Sequence, residues 1–354
     1  MIFKLTALLL FAPPLVLAVT GQPAQSQVSS LLTQFGLTAD QRTAIDQGRP
    51  AAKVLSWGGP SEVFVFGAVY IDAAPAAYLK AVRNVARLGK SPGYLGIGEL
   101  QANATPADLA GLSLDPDDLK ALKNCKEGDC DIQLPTSSIK AFRESVDWKQ
   151  ADPSSQVNEL ARGMILDLLR EYRRGGNAEL GEYRDKEHPA RVADQFETMV
   201  SRSATLPEFL PELRQYLLKF PEATLPGADS FFYWEKVDFG MKPTIRVNHG
   251  VIYHAGEGTG DISVVAIKQL YASHYFHTAL DVSVCMVDTT KPERRGFYLM
   301  TLKSSEQDGL TGVKGSMLRK IVVDKTRGSM ETGLTAIKKS LETSGAASER
   351  RAQR

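Results

Sequence analysis

The sequence predicts an α+β protein, in which an antiparallel sheet packs with a long C-terminal helix and a helical segment is inserted ahead of most of the strands. Three observations indicate this class. Four strand-like runs follow one another with short turns in the C-terminal third, residues 137–220 have a helical pattern, and residues 310–341 have the pattern of one long helix. Strands joined by short turns pair with their neighbours as an antiparallel meander.

The N-terminal residues predict a cleavable signal peptide over residues 1–26. Lys4 supplies an early positive charge, residues 5–19 are apolar, and small polar residues follow, with residues 24–26 as the favoured cleavage site and 18–21 as the alternative. The apolar run has about 15 residues, whereas a helix that spans a membrane needs about 20. We therefore predict a mature protein that works in the periplasm or outside the cell.

The composition predicts a globular domain without a nucleic-acid partner. Of the 354 residues, 43% are hydrophobic and 23% are charged, and the formal net charge is +1. Such a balance gives no global field that attracts nucleic acid. We predict neither a catalytic residue nor a cofactor.

The cysteines are consistent with an oxidising compartment. Cys125 and Cys130 flank a four-residue loop that contains a glycine, and we predict a disulfide between them. A metal site would need more Cys or His residues nearby, and a redox pair usually has two intervening residues. Cys285 lies in an apolar strand pattern and is predicted to be a buried free thiol.

Short elements alternate in the first part of the chain. Thr38 and Gln41 have the spacing of a capping box, so they predict a helix that ends near Gly48. Residues 52–56 and 62–72 predict a β-hairpin across a Gly-Gly-Pro turn. The next predicted elements are a helix over 75–89, capped helices that begin after Thr105 and Asp115, and a strand over 130–134.

The helical insertion covers about residues 137–220, with its clearest helices over 157–173, 191–201 and 211–218. The meander that follows has predicted strands over 243–254, 262–273, 279–287 and 296–303, after an aromatic-rich stretch at 230–234. The glycine-rich residues 256–260 join two strands. They are therefore predicted to form a hairpin turn rather than a phosphate-binding loop.

The final helix contains five glycines, at positions 309, 312, 315, 328 and 333. Each interior glycine costs about 1 kcal/mol relative to alanine. The helix is therefore expected either to pack very close to a sheet or to break near Gly328. Residues 344–354 are predicted to be a disordered tail.

Four segments resemble the START-like or helix-grip (SRPBCC-type) superfamily, and in particular exported bacterial proteins of that kind. They are the strand–small residue–proline segment 67–75, the segments 271–276 and 297–299, and the start of the final helix at 308–310. The resemblance implies a single domain over residues 27–343, with a curved antiparallel sheet wrapped around the C-terminal helix and an apolar cavity between them. No catalytic residue can be transferred from it.

The resemblance implies a non-enzymatic protein that binds a hydrophobic small molecule or lipid between sheet and helix. Aromatic side chains pack against such ligands, and their hydroxyls orient them. The predicted lining residues are Tyr253, Tyr271, Tyr275, Tyr298, Met300 and His249.

Two other classes of function remain open. One is a cyclase-like or hydrolase-like enzyme in which His249 or His274 acts as general base. The other is an envelope scaffold that binds a protein through exposed apolar patches of the insertion, residues 157–218. A zinc site at His274 and His277 is not predicted, because strand residues three apart point to opposite faces. Basic faces on the helices allow transient contact with an anionic membrane surface.

Overall fold

The computed structural model describes residues 26–91, 93–203, 206–240, 242–255, 262–307 and 309–352. Most of the predicted signal peptide, the turn at 256–260 and the last two residues lie outside these ranges. The helices are α1 (Gln27–Gln34), α2 (Ala39–Asp46), α3 (Pro75–Arg83), α4 (Val85–Leu88), α5 (Pro116–Asn124), α6 (Thr136–Ser145), α7 (Ser154–Gly175), α8 (Val192–Arg202), α9 (Leu206–Phe209), α10 (Pro211–Lys219) and α11 (Gly312–Ala352).

A large antiparallel sheet organises the described chain. Its strands lie in the order β1-β2-β10-β9-β8-β7-β6-β3, so β1 and β3 form the two edges. The predicted α+β class, with an antiparallel sheet and a long C-terminal helix, is confirmed. The strands are β1 (Ala51–Leu55), β2 (Glu62–Ile71), β3 (Tyr94–Leu100), β6 (Asp229–Val237), β7 (Thr244–Ala255), β8 (Ile262–Ala272), β9 (Phe276–Met286) and β10 (Phe297–Gln307), and a separate pair is formed by β4 (Glu182–Tyr183) and β5 (Ala190–Arg191).

Strand β3 was not among the predicted strands. Its glycines at 96 and 98 weaken the strand pattern, but they make room for an aromatic ring. A Cβ atom on Gly98 would lie 2.5 Å from Nε1 of Trp234 on the neighbouring strand β6. Conversely, the predicted strand over 130–134 does not form, and this segment is irregular.

Helices cover both faces of the sheet. One face, which we call the α11 face, packs against α3, α4 and α11 through a cluster that includes Val65, Val69, Val265, Cys285 and Leu299. The opposite face, which we call the insertion face, packs against α1, α2, α8 and α10 through a cluster that includes Phe66, Ala68, Val264, Tyr298 and Met300. Helix α7 covers the β6–β7 end of the insertion face.

The C-terminal half of α11 packs closely on the sheet. Met330, Leu334 and Leu341 are buried, and a Cβ atom on Gly67 of β2 would lie only 2.5 Å from Cγ of Met330. The close approach therefore depends on a glycine of the strand, because nothing lies within 4 Å of a Cβ atom at either Gly328 or Gly333 of the helix. The helix is continuous past Gly328 and extends to Ala352, into the segment for which the sequence predicts disorder.

The Cys125–Cys130 disulfide is formed, as predicted, and Cys285 is a buried free thiol. The backbone N–H of Cys130 donates to the carbonyl of Asp185 at 3.0 Å, so the disulfide loop is attached to the segment after β4. A disulfide is consistent with an extracellular location. Within the ranges given above, no helix is both long and apolar enough to cross a membrane.

Candidate functional site

A cavity of about 1,100 Å³ lies between the α11 face of the sheet and α11 itself. Strands β6 to β10 provide its floor, while α3, α4 and α11 provide its walls. This volume is slightly above the usual range of about 300–1,000 Å³ for small-molecule sites. Its apolar lining includes Val82, Phe231, Val265, Ile267, Val322 and Ile337.

Polar side chains on the floor of the cavity are paired across neighbouring strands. Arg246 lies opposite Glu235, with Nη1 3.3 Å from Oε1, and Lys303 lies opposite Asp281, with Nζ 2.6 Å from Oδ2. Between the strands that carry the second pair, the hydroxyls of Ser283 and Thr301 are 2.9 Å apart. Each floor carboxylate thus faces a cation, and the polar groups form a row beneath apolar walls.

Arg246 is the most enclosed cation of this floor, since only 15% of its side chain is exposed. Burial alone lowers the pKa of Arg246, but the charges of Glu235 and Asp281 raise it above its ordinary value. Its Nε atom is buried and has no hydrogen-bond partner among the described residues. A bound polar group or water is the ordinary partner for such an atom.

Buried phenols add neutral hydrogen-bonding groups to the same end of the cavity. Burial, reinforced by the Glu235 charge, raises the pKa of Tyr94 and Tyr233. Both side chains line the cavity beside Arg246. They therefore stay protonated at neutral pH and can donate as well as accept hydrogen bonds.

Tyr275 is the one predicted lining residue that lies in the cavity wall. It follows strand β8 with a φ of 66°, a left-handed conformation that costs a non-glycine residue about 1–3 kcal/mol. Its hydroxyl accepts a hydrogen bond from the backbone N–H of Lys242 at 3.0 Å. Such strain persists only where surrounding contacts hold it, and it is common at functional sites.

The other five predicted lining residues lie away from the cavity, on the insertion side of the sheet. Tyr298 donates to Asp46 at 2.6 Å, Tyr253 donates to Glu212 at 3.3 Å, and Tyr271 packs edge-on against Tyr183. Met300 belongs to the insertion-face cluster. Successive strand residues point to opposite faces of the sheet. The sequence does not indicate which face borders the cavity, so the large aromatic residues that we predicted as its lining lie on the wrong face.

His249 lies in a closed polar cluster beneath the insertion. Its Nδ1 atom is 3.1 Å from the hydroxyl of Tyr172, and its Nε2 atom is 2.8 Å from the hydroxyl of Ser230. Burial, with smaller contributions from the charges of Lys268 and Arg173, lowers the pKa of His249 to about 3. The imidazole is therefore neutral at physiological pH and only 1% exposed.

Lys268 completes this cluster and was not identified from the sequence. Its ammonium donates to Asn177 and to the Tyr172 hydroxyl, and lies 4.2 Å from the ring centre of Phe196. Full burial lowers the pKa of Lys268 well below its ordinary value. The available signal was a lysine at an inward position, between Ala266 and Leu270, of an apolar strand.

His274 also lies outside the cavity. Its Nε2 atom is 3.1 Å from a carboxylate oxygen of Asp118, and its Nδ1 atom is 2.9 Å from the carbonyl of Asp131. These bonds attach the β8–β9 turn to the region of the disulfide. In the described part of the chain, no group of three or more His, Cys, Asp or Glu residues could hold a metal ion.

The sequence did contain a signal for the cavity floor. In β9 and β10, the positions that point to the α11 face include Asp281, Ser283, Thr301, Lys303 and Ser305, while the alternate positions are mostly apolar. A polar row on a strand that helices cover indicates an internal polar site rather than solvent. The prediction considered aromatic and histidine residues instead.

The fold and site together define an α+β protein with a large antiparallel sheet, a long C-terminal helix and a cavity between them. No protein-family model matches the sequence, and no curated protein is significantly similar to it. The START-like resemblance thus stays a prediction.

Proposed function

We propose that this protein is an exported, non-enzymatic carrier that holds a hydrophobic small molecule or lipid between its sheet and α11, in a helix-grip arrangement. The observation that carries the proposal is the cavity of about 1,100 Å³ at this interface. The apolar walls of a cavity of that size are exposed to water in a protein without a ligand. A bound apolar molecule would remove this surface from water, which is favourable.

The lining favours an amphipathic ligand. Apolar side chains of α3, β8 and α11 can cover a chain or ring system, while the row of paired polar groups on the floor can orient a polar end. The unpartnered Nε of Arg246 and the phenols of Tyr94 and Tyr233 are available as donors at one end. Tyr275 is proposed as an additional contact there.

Export is proposed on two grounds. The N-terminal residues have the order of charge, apolar run and small residues that is typical of a signal peptide. The Cys125–Cys130 disulfide is the kind of bond that persists in the periplasm or outside the cell.

The geometry does not favour the two other classes of function. Neither His249 nor His274 lines the cavity, so a general base at either position would have no substrate beside it. Of the described side chains, the large hydrophobic ones that are strongly exposed lie at Leu95 and in α11, and none lies within residues 157–218. The described part of the insertion therefore lacks the apolar patches expected of a scaffold.

The test is native mass spectrometry of the mature protein, purified under mild conditions, with organic extraction of what is released. We expect a discrete apolar mass, either co-purified or taken up from envelope lipids. A wild-type protein that stays ligand-free after incubation with those lipids contradicts the proposal.

A matched pair of variants localises the ligand. Gly333 lines the cavity and Gly328 is exposed on the same helix, and a Cβ atom at either position would meet no neighbour. Gly333→Leu should therefore fill cavity space and reduce ligand occupancy several-fold, while Gly328→Leu should not. Equal occupancy in both variants would place the ligand elsewhere.

A further inference from the structure

The N-terminal half of α11 exposes apolar side chains at the opening of the cavity. Met317 is 75% exposed, Ile321 58% and Leu318 40%, which makes this the main concentration of exposed large hydrophobic residues in the described chain. Residues at these spacings lie on one side of a helix. Leu318 also lines the cavity, so the exposed residues adjoin its mouth.

Lysine side chains flank these apolar residues on α11. Lys320 and Lys325 are exposed, and Lys325 also lines the cavity. We call these two lysines, together with Met317, Leu318 and Ile321, the mouth surface. The acidic residues nearby are Asp324, which pairs with Arg327 at 3.5 Å, and Asp238.

The exposed half of α11 is attached to the rest of the fold. Arg319 donates from Nη1 to the carbonyls of Pro60 and Glu62, at 2.6 and 2.7 Å. Val322 and Val323 are half-buried and pack on the α11-face cluster. The apolar side chains are therefore presented in a fixed orientation.

We propose that the mouth surface docks on an anionic lipid bilayer, with Met317 and Ile321 inserted among the lipids and the lysines at the headgroups. Apolar residues flanked by Lys and Arg are typical of helices that lie in the membrane interface. Anionic lipids attract each basic residue near the surface. Docking would bring the cavity mouth to the lipids, which gives the proposed carrier a route for loading its ligand.

Charge favours a bilayer over a second copy of the chain as the occupant. Two copies that met through the mouth surface would bring Lys320 and Lys325 of both molecules into one interface. Like charges brought together in this way are destabilising. An anionic surface instead complements both lysines.

The experiment is co-sedimentation of the full mature protein with vesicles of mixed phosphatidylglycerol and phosphatidylcholine, and with phosphatidylcholine alone. We expect binding to the anionic vesicles, which weakens as salt is added because salt screens the attraction. Absence of binding to anionic vesicles at low salt overturns the proposal.

Paired variants test the two components. Met317→Ser/Ile321→Ser removes apolar contact, and Lys320→Gln/Lys325→Gln removes charge. Each should reduce vesicle affinity by roughly tenfold or more. Leu95→Ser, an equally exposed apolar position on β3, and Lys120→Gln/Lys123→Gln, exposed lysines on α5, should leave it unchanged. If the α11 variants bind vesicles as well as the wild type does, or if the control variants lose as much affinity, the mouth surface is not the site of membrane binding.

The purpose of docking, loading of a ligand, rests on the proposed carrier function. Vesicle binding itself can be measured without a ligand. Native mass spectrometry of the same preparations reports ligand occupancy. A protein that holds its ligand but does not bind vesicles would contradict the docking proposal and leave the carrier proposal standing. Sedimentation equilibrium tests whether a second copy of the chain covers the mouth surface instead of a bilayer. A dimer that Met317→Ser/Ile321→Ser dissociates, without vesicle binding, would assign the surface to self-association and overturn the proposal.

Discussion

Two pairs of enclosed polar residues have opposite environments. Glu235 and Arg246 are a direct cross-strand ion pair that lines a cavity. His249 and Lys268 are enclosed under the insertion, where burial disfavours their charged forms and lowers their pKa values. The first pair therefore borders the cavity, and the second lies among the helices that cover the opposite face.

The depressed pKa of His249 predicts a loss of stability in acid. Its pKa is about 3 in the folded protein and 6.5 for an unperturbed histidine, so the unfolded chain binds the proton first. The contribution of His249 to the free energy of unfolding is fully present above about pH 6.5. It declines as pH falls towards 3, by up to about 1.4 kcal/mol per pH unit. Urea unfolding measured at several pH values checks this.

The matched comparison uses two histidines. His249→Gln should flatten the slope of unfolding free energy against pH below 6.5, even though it loses hydrogen bonds. His188→Gln, at an exposed position, should keep the wild-type slope. The interpretation fails if both variants retain the same pH dependence.

At the scale of elements, the contact between α11 and β2 determines how the cavity is closed. Gly67 lets Met330 and Leu334 approach the strand closely. Residues on both sides of this contact, from Leu318 to Leu341, line the cavity, so α11 borders it along most of its length. One strand glycine accounts for this geometry better than the helix glycines do.

Gly67→Ala should reduce the free energy of unfolding by about 1–3 kcal/mol, because the new methyl group overlaps Cγ of Met330. Met330→Ala makes room for it, so Gly67→Ala should cost much less in a Met330→Ala background. Urea titrations of the four proteins measure this coupling. Additive effects of the two substitutions would show that the contact is not tight.

At the scale of the molecule, the sheet separates a filled side from a hollow one. Helices α7, α8 and α10 of the insertion pack into the insertion-face clusters, and none of the described residues of 136–219 lines the cavity. The insertion is therefore a cover for the opposite face and not a lid. The disulfide lies in a further cluster with Leu122, Ile132 and Phe142.

This separation predicts that the disulfide supports stability without affecting the cavity. Cys125→Ser/Cys130→Ser should lower the free energy of unfolding by about 2 kcal/mol, the value for closure of a short loop. Ligand occupancy in native mass spectrometry should stay at the wild-type level for folded protein. A variant that keeps its fold but loses its ligand would show that the two regions are coupled.

The candidate site was predictable in position but not in composition. The START-like resemblance implied a cavity between the sheet and the final helix, and a cavity lies at that interface. Yet Tyr298 and Met300 were predicted to line it, and the intervening residues Leu299 and Thr301 point to the α11 face instead. A shift of one residue exchanges the faces of a strand.

Local patterns thus determined the elements: the capping box at Thr38, the meander strands, the disulfide spacing and the long final helix all follow from neighbouring residues. Tertiary structure alone decided which face of the sheet is filled and which is hollow. Period-two alternation defines two faces but does not state what covers each. That depends on where α7, α8, α10 and α11 pack, and these contacts join residues far apart in the chain.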